Sequence, residues 1–190
     1  SFKCDFIYWI NTELLSSSVN KIYKRGLITE LYPENMSFGE DLVFVLNYLK
    51  HCNRISFTQE PLYQHEVYNS VSLTHSFSPA RFSNLEDIQK AILDFADDKN
   101  KINPRIYDKY VKDALHLTRM WYKNKNVPYI RKKEIIGEWL KQSYIRKLKI
   151  SDYQLHWKDR MLLHCLHMSC FIGINLIVNG KEYINSLSKE

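Results

Sequence analysis

The chain is poor in the features that mark several protein classes. Its four cysteines, Cys4, Cys52, Cys165 and Cys170, are scattered and suggest no disulfide framework, which argues against a small stapled secreted domain. No signal peptide opens the sequence, so a reducing, cytoplasmic setting is the expectation. There is no internal repeat, no low-complexity segment and none of the usual zinc spacings. His164, Cys165, His167 and Cys170 do share one segment, but the segment is otherwise apolar and reads as the lining of a buried helix, so no metal is expected there. A nucleic-acid partner is not expected either: no recognition motif is present, and basic residues concentrate only over 131–149.

What is present points to a folded, mildly cationic protein. Apolar residues make up 45% and charged residues 25%, enough for a packed core and too few charges for wholesale disorder. The formal charge of +6 fits an anionic partner, such as a nucleotide or an acidic membrane face, without choosing among them. Thirteen tyrosines lead the aromatic share. A flat apolar ring with a polar tip suits carbohydrate sites and membrane interfaces.

The character of the chain changes near residue 78. Before it, FIYWI (6–10) reads as a strand, the run from Ser16 through Ile28 as a helix, and the segments from Arg54 and from Leu62 as strands, with Pro61 at a strand entry. Residues 69–79 read as a polar loop. Beyond it the expected helices are 81–97, 104–122, 128–148 and 156–178, with Pro104 and Pro128 in first turns and Asn179-Gly180 as a stop. The last of these carries no Asp, Glu, Lys or Arg from Met161 to Asn179. Its His164, His167, Ser169 and Asn175 would be costly against lipid, so it is expected to be buried or to lie at a membrane surface rather than to span. The basic, amphipathic segment before it, with Trp139 and Tyr144, fits either a solvated helix or attachment to an anionic membrane.

The stretch Asn35–Cys52, NMSFGEDLVFVLNYLKHC, sets an adjacent acidic pair behind a glycine and ahead of an apolar run. Leu42, Val45, Leu46 and Leu49 recur at helical spacing. Ser37 as N-cap with Glu40 at N3 makes a capping box, and both carboxylates suit the positive end of the helix dipole. Capping explains Glu40. It does not require Asp41.

Three stretches in order, VNKIYKRGLI (19–28), FGEDLVFVLNYLKHCNRI (38–55) and PLYQHEVYNSVSL (61–73), resemble the second half of bacterial family 2 glycosyltransferases, the GT-A enzymes that build capsular and cell-wall polysaccharides. The resemblance covers about the first 75 residues. It implies an α/β, Rossmann-like catalytic fold, of which this chain would be a mainly helical C-terminal portion with a few short strands. Residues 1–78 would be the acceptor-side part and 79–190 a helical extension. It implies transfer of a sugar from a nucleotide-sugar donor to a saccharide or lipid-linked acceptor, with inversion. Asp41 matches the general base and Glu40 its helix-starting neighbour; Asn20 and Lys21 match the acceptor side of the cleft; Ser70 and Ser72 match the loop that closes over the diphosphate; Tyr63 lies on the expected strand. The complete enzyme would use a divalent cation, Mg or Mn, held largely by residues outside this chain, and would work in the cytoplasm or on the inner face of the cell membrane.

The chemistry suits such a site. Inverting transfer needs one carboxylate to take the acceptor hydroxyl's proton as that oxygen attacks the anomeric carbon, while a nucleotide diphosphate leaves from the opposite face. Two departures stand against the pattern. His65 and Glu66 follow Tyr63-Gln64 where the family often has an aromatic and an arginine, and a carboxylate does not bind diphosphate; His65 or His75 would have to substitute. No Asp-x-Asp metal motif occurs anywhere. The chain therefore reads as the C-terminal piece of a longer enzyme, which holds the base but does not assemble the donor site. The alternative is a non-catalytic helical module that binds a partner protein or a membrane surface.

Overall fold

A computed structural model describes residues 5–64 and 78–187, with side chains described as far as residue 180. The protein is mainly helical, and no strand forms among the described residues. It divides into two compact units, Ser1–Ile106 and Tyr107–Glu190. The long helix that follows residue 78 belongs to the first of these units.

In the first unit, α1 (Phe6–Asn11) replaces the expected strand at 6–10. A short apolar run cannot by itself separate a strand from a buried helical turn. Burial decides here: Phe6 and Ile10, one helical turn apart, are buried while Tyr8 between them is exposed, and Phe6 meets Phe95 at 4.9 Å between ring centroids. The expected helix from Ser16 does not form. Residues 12–39 are turns and extended chain broken only by a single 3-10 turn at Arg25–Leu27.

Helix α2 (Glu40–Leu49) forms as expected, but its cap differs. Gly39 stands at the N-cap with a left-handed φ of 76°, and no side chain caps the helix. Ser37 instead donates its backbone N–H to Asn84 Oδ1 at 3.2 Å, so the Ser37–Glu40 capping box is absent. The close approach of α3 (Ala80–Phe95) explains the glycine: a Cβ on Gly39 would lie 2.1 Å from Ile88 Cδ1. Leu42, Val45 and Leu46 of α2 and Phe82, Leu85, Ile88 and Ile92 of α3 are buried, and α2 packs on α3. A short α4 (Asp98–Lys101) follows, with Asp97 Oδ1 accepting the N–H of Asn100 at 2.8 Å. The strands expected from Arg54 and Leu62 are extended chain without ladder partners through residue 64.

The second unit is a helical cluster around α5 (Asp108–Lys123), which a 3-10 turn at Pro104–Tyr107 precedes. Helix α6 (Tyr129–Gln142) ends six residues before the expected 148, because Ser143 turns the chain: it caps a 3-10 turn at Tyr144–Lys147, and its hydroxyl lies 2.7 Å from that of Tyr110. The long helix expected over 156–178 is two helices, α7 (Trp157–His167) and α8 (Phe171–Leu187). Ser169 breaks it with φ 55°, and Cys170 N–H reaches back to the carbonyl of Cys165 at 2.7 Å. α8 then passes through Asn179-Gly180 without stopping. Ala114, Leu117, Ile136, Leu140, Leu162, Leu163, Leu166 and Ile174 fill the core. Among the described residues, no helix is long and apolar enough to cross a membrane.

Candidate active site

The acidic pair opens α2, so its placement follows from what the 12–39 segment does around that helix. The segment winds back over α2 and is pinned by aromatic and hydroxyl contacts. Tyr23 meets Phe44 and Tyr48 edge-on at 5.3 and 4.9 Å, Tyr32 stacks on Phe44 at 4.5 Å, and the Tyr48 hydroxyl accepts the N–H of Lys24 at 2.8 Å. Tyr23 in turn donates its hydroxyl to the carbonyl of Ser18 at 3.0 Å.

That folding carries Ser18 to the start of α2. Its hydroxyl donates to Asp41 Oδ1 at 2.6 Å, and Ser18 is buried while Asp41 is only partly so. No hydrogen bond to the second oxygen of Asp41 forms among the described residues. One oxygen of the carboxylate is therefore held by Ser18, and the residue is only partly buried. Glu40, one position earlier and about 100° around the helix, shares the first turn.

Lys21 joins this cluster. Its ammonium donates to the carbonyls of Leu14, at 2.7 Å, and of Ser17, and to Asn20 Oδ1 at 2.7 Å. Those three acceptors use all three ammonium protons, so Lys21 knits the loop together and acts at a distance as a charge. Burial lowers its pKa, and the Asp41 carboxylate works in the opposite direction. Burial also raises the Tyr23 phenol well above the ordinary tyrosine range, with smaller contributions from Tyr32, Asp41 and Tyr48. A neutral phenol and a cationic lysine thus flank the carboxylate.

The sequence-based site residues are accordingly split. Asp41, Lys21 and Asn20 come together; Tyr63 lies exposed on extended chain; His65, Ser70 and Ser72, with Glu66 and His75, lie outside the described residues. Ser18 was not foreseen, since a serine among Ser16, Ser17 and Ser18 carries no signal until the loop's path is known. The residues described here do not suit a divalent cation. Glu40 and Asp41 diverge around the helix, Lys21 sets a positive charge nearby, and no group of three or more His, Cys, Asp or Glu gathers anywhere among the described residues.

No family model, curated protein or solved structure matches the chain.

Proposed function

We propose that this chain is the acceptor-side portion of an inverting, nucleotide-sugar-dependent glycosyltransferase of the GT-A kind, with Asp41 as the general base. The observation that supports this reading is the Ser18–Asp41 hydrogen bond. A base that must meet an incoming hydroxyl needs a fixed orientation and one free oxygen, and Asp41 has both at the head of a rigid helix. Lys21, which the resemblance sets on the acceptor side, lies close enough for its charge to feel that of Asp41. In the proposed reaction the free oxygen of Asp41 takes the acceptor hydroxyl's proton while the hydroxyl oxygen attacks the anomeric carbon, whose bond to the donor's diphosphate breaks as the nucleotide diphosphate leaves from the opposite face. Ser18 holds the carboxylate against rotation, and Asn20, through Lys21, holds the loop that carries Ser18.

The Rossmann-like sheet, the donor's diphosphate site and the cation ligands belong, in this reading, to sequence outside the described residues. The working place, in this reading, is the cytoplasm or the inner face of the cell membrane, beside a saccharide or lipid-linked acceptor. The direct test is product formation by the enzyme containing this chain. It would be supplied with UDP-, GDP- and dTDP-sugars and with short oligosaccharide or lipid-linked acceptors, in the presence of Mg or Mn, and assayed by mass spectrometry. A sugar added to acceptor with inverted anomeric configuration supports the proposal. Transfer with retention would sink it, because a retaining enzyme does not use Asp41 as a base toward the acceptor in this way.

A further inference from the structure

The second unit contains a hollow of about 540 Å³ between the end of α5, the start of α6 and the middle of α8. Its polar wall carries Lys123, Lys125 and Lys132 with Asn175 and Asn179, and no carboxylate lines it among the residues whose side chains are described. Two of its groups are unusual for their burial. Lys132 is 8% exposed, and the one acceptor its ammonium finds among the described residues is the backbone carbonyl of Tyr122, at 2.7 Å. A buried ammonium with a single neutral acceptor keeps two protons unpaired and its charge uncompensated, and burial accordingly lowers its pKa. Tyr122 itself is 1% exposed, and its hydroxyl has no hydrogen-bond partner among the described residues. With no accessible surface of its own, that hydroxyl stands behind the wall, and Lys132 is the buried polar group that the hollow presents.

The backbone adds to the same field. Helix α6 begins at Tyr129, which lines the hollow, with no side-chain cap and no acidic residue in its first turn. Its free N–H groups and the positive end of its dipole favour an anion there. Asn179 Nδ2 donates to the Tyr122 carbonyl at 3.3 Å and to Asn175 Oδ1 at 2.8 Å, which fixes the two amides side by side. The remaining wall is apolar and open. Ile172 and Leu176, one turn apart on α8, are 71% and 57% exposed.

We infer that this hollow binds a phosphate ester carried on an apolar chain, with Lys132 and Lys123 on the phosphate and Ile172 and Leu176 against the chain. A phosphate supplies acceptors for the unpaired ammonium protons of Lys132 and offsets the three lysines of the polar wall. The exposed aliphatic pair accounts for the chain. Every group involved belongs to the second unit, and the inference does not depend on the glycosyl-transfer reading.

The test uses hexyl phosphate, inorganic phosphate and vesicles of phosphatidylglycerol or phosphatidylcholine, with calorimetry for the soluble probes and sedimentation for the vesicles. Hexyl phosphate is expected to bind at least ten-fold more tightly than inorganic phosphate, and Lys132→Met to weaken it at least five-fold. Melting curves accompany the variants. Lys123→Gln, at an exposed position that leaves the core untouched, should weaken binding two-fold or more and serves as the second probe if Lys132→Met fails to fold. Sedimentation with phosphatidylglycerol but not phosphatidylcholine vesicles, lost in the same variants, identifies the ester as a lipid headgroup. Hexyl phosphate binding without vesicle binding identifies a soluble ester. Absence of hexyl phosphate binding at millimolar concentration, or binding that neither variant alters, overturns the inference.

Discussion

Ser18 and Asp41, 23 residues apart in sequence, are joined by a 2.6 Å hydrogen bond from the serine hydroxyl to Oδ1 of the aspartate. The bond ties a loop without regular structure to the first turn of a helix whose N-cap is a bare glycine. It therefore does two things at once: it closes the loop, and it fixes the one carboxylate of the acidic pair that capping does not require.

If Asp41 is the base, Asp41→Asn removes basicity while Ser18 keeps an oxygen to donate to. Turnover of the enzyme containing this chain should fall by roughly 10²–10⁴-fold, the usual worth of positioned proton transfer. Glu40→Gln should lower it far less, because Glu40 serves only the helix end, with a dipole contact of about 0.3–1 kcal/mol. Steady-state rates and melting curves on both variants separate the roles. Similar small losses from the two would return the pair to helix stabilisation alone.

Ser18→Ala tests the anchor rather than the base. A hydrogen bond to a charged group contributes about 1.5–3 kcal/mol, so the melting temperature should drop, and Lys21 should move with the loop. Activity should fall less than in Asp41→Asn, with the free carboxylate retained but no longer oriented. Ser18→Thr, which preserves the hydroxyl, should recover part of the loss if the added methyl fits. A Ser18→Ala protein as inactive as Asp41→Asn, yet equally stable to wild type, would contradict the division of labour.

Gly39→Ala should destabilise the first unit for two separable reasons. A left-handed residue with a side chain costs about 1–2 kcal/mol, and the new Cβ, 2.1 Å from Ile88 Cδ1, adds an overpacking cost of about 1–3 kcal/mol. Adding Ile88→Ala removes both overlapping atoms, Cδ1 and the Cγ1 that would lie 2.7 Å away, and should recover the second part only, less the cost of the cavity it opens. Denaturant unfolding of the single and double variants measures both. Equal stability of Gly39→Ala and wild type would mean that α2 and α3 do not meet as described.

What the sequence made legible follows from how local each signal is. The helix at Glu40 could be read because its apolar period and its acidic first turn lie within ten residues. The cap could not, because Ser37 loses its helix role to Asn84, 47 residues away, and Gly39 is forced by Ile88. FIYWI was misread as a strand because five apolar residues fit either period until Phe95 is known to face Phe6. The break at Ser169 was missed for a related reason: no proline or glycine marks it, and the backbone reversal rests on the Cys170–Cys165 bond and on the packing of α7 against α8. Within the candidate site, Asp41, Asn20 and Lys21 were named from the resemblance, whereas Ser18 emerges only from the path of the loop.

Under the proposed division of the enzyme, the chain by itself holds no donor site. Calorimetry with UDP-hexoses in millimolar Mg or Mn should show no heat of binding beyond dilution. Micromolar affinity by the chain alone would put a nucleotide site within these 190 residues, and with it the boundary that the reading assigns.

The two cysteines at the α7–α8 turn should differ in reactivity. Cys170 is exposed, whereas Cys165 is only partly so and sits against Gly173, where an added Cβ would lie 2.7 Å from Cys165 Sγ and 3.1 Å from Cys170 Sγ. Burial raises the Cys165 thiol above the ordinary cysteine range, and the neighbouring Cys170 raises it further by charge and by hydrogen bonding. The thiolate is the reactive species, so a raised pKa means a smaller thiolate fraction at any pH below it. Iodoacetamide at pH 8 should therefore label Cys170 first, and Cys165 more slowly than an unhindered thiol. Raising the pH should speed Cys165 only above the ordinary cysteine range, where its thiolate appears. Removing the neighbour in Cys170→Ser takes away the charge contribution but not the burial, so Cys165 should become somewhat more reactive while remaining slow. Peptide mapping by mass spectrometry follows each site separately. Faster labelling of Cys165 than of Cys170 would show that the turn does not bury it, and that the tight passage at Gly173 is not formed.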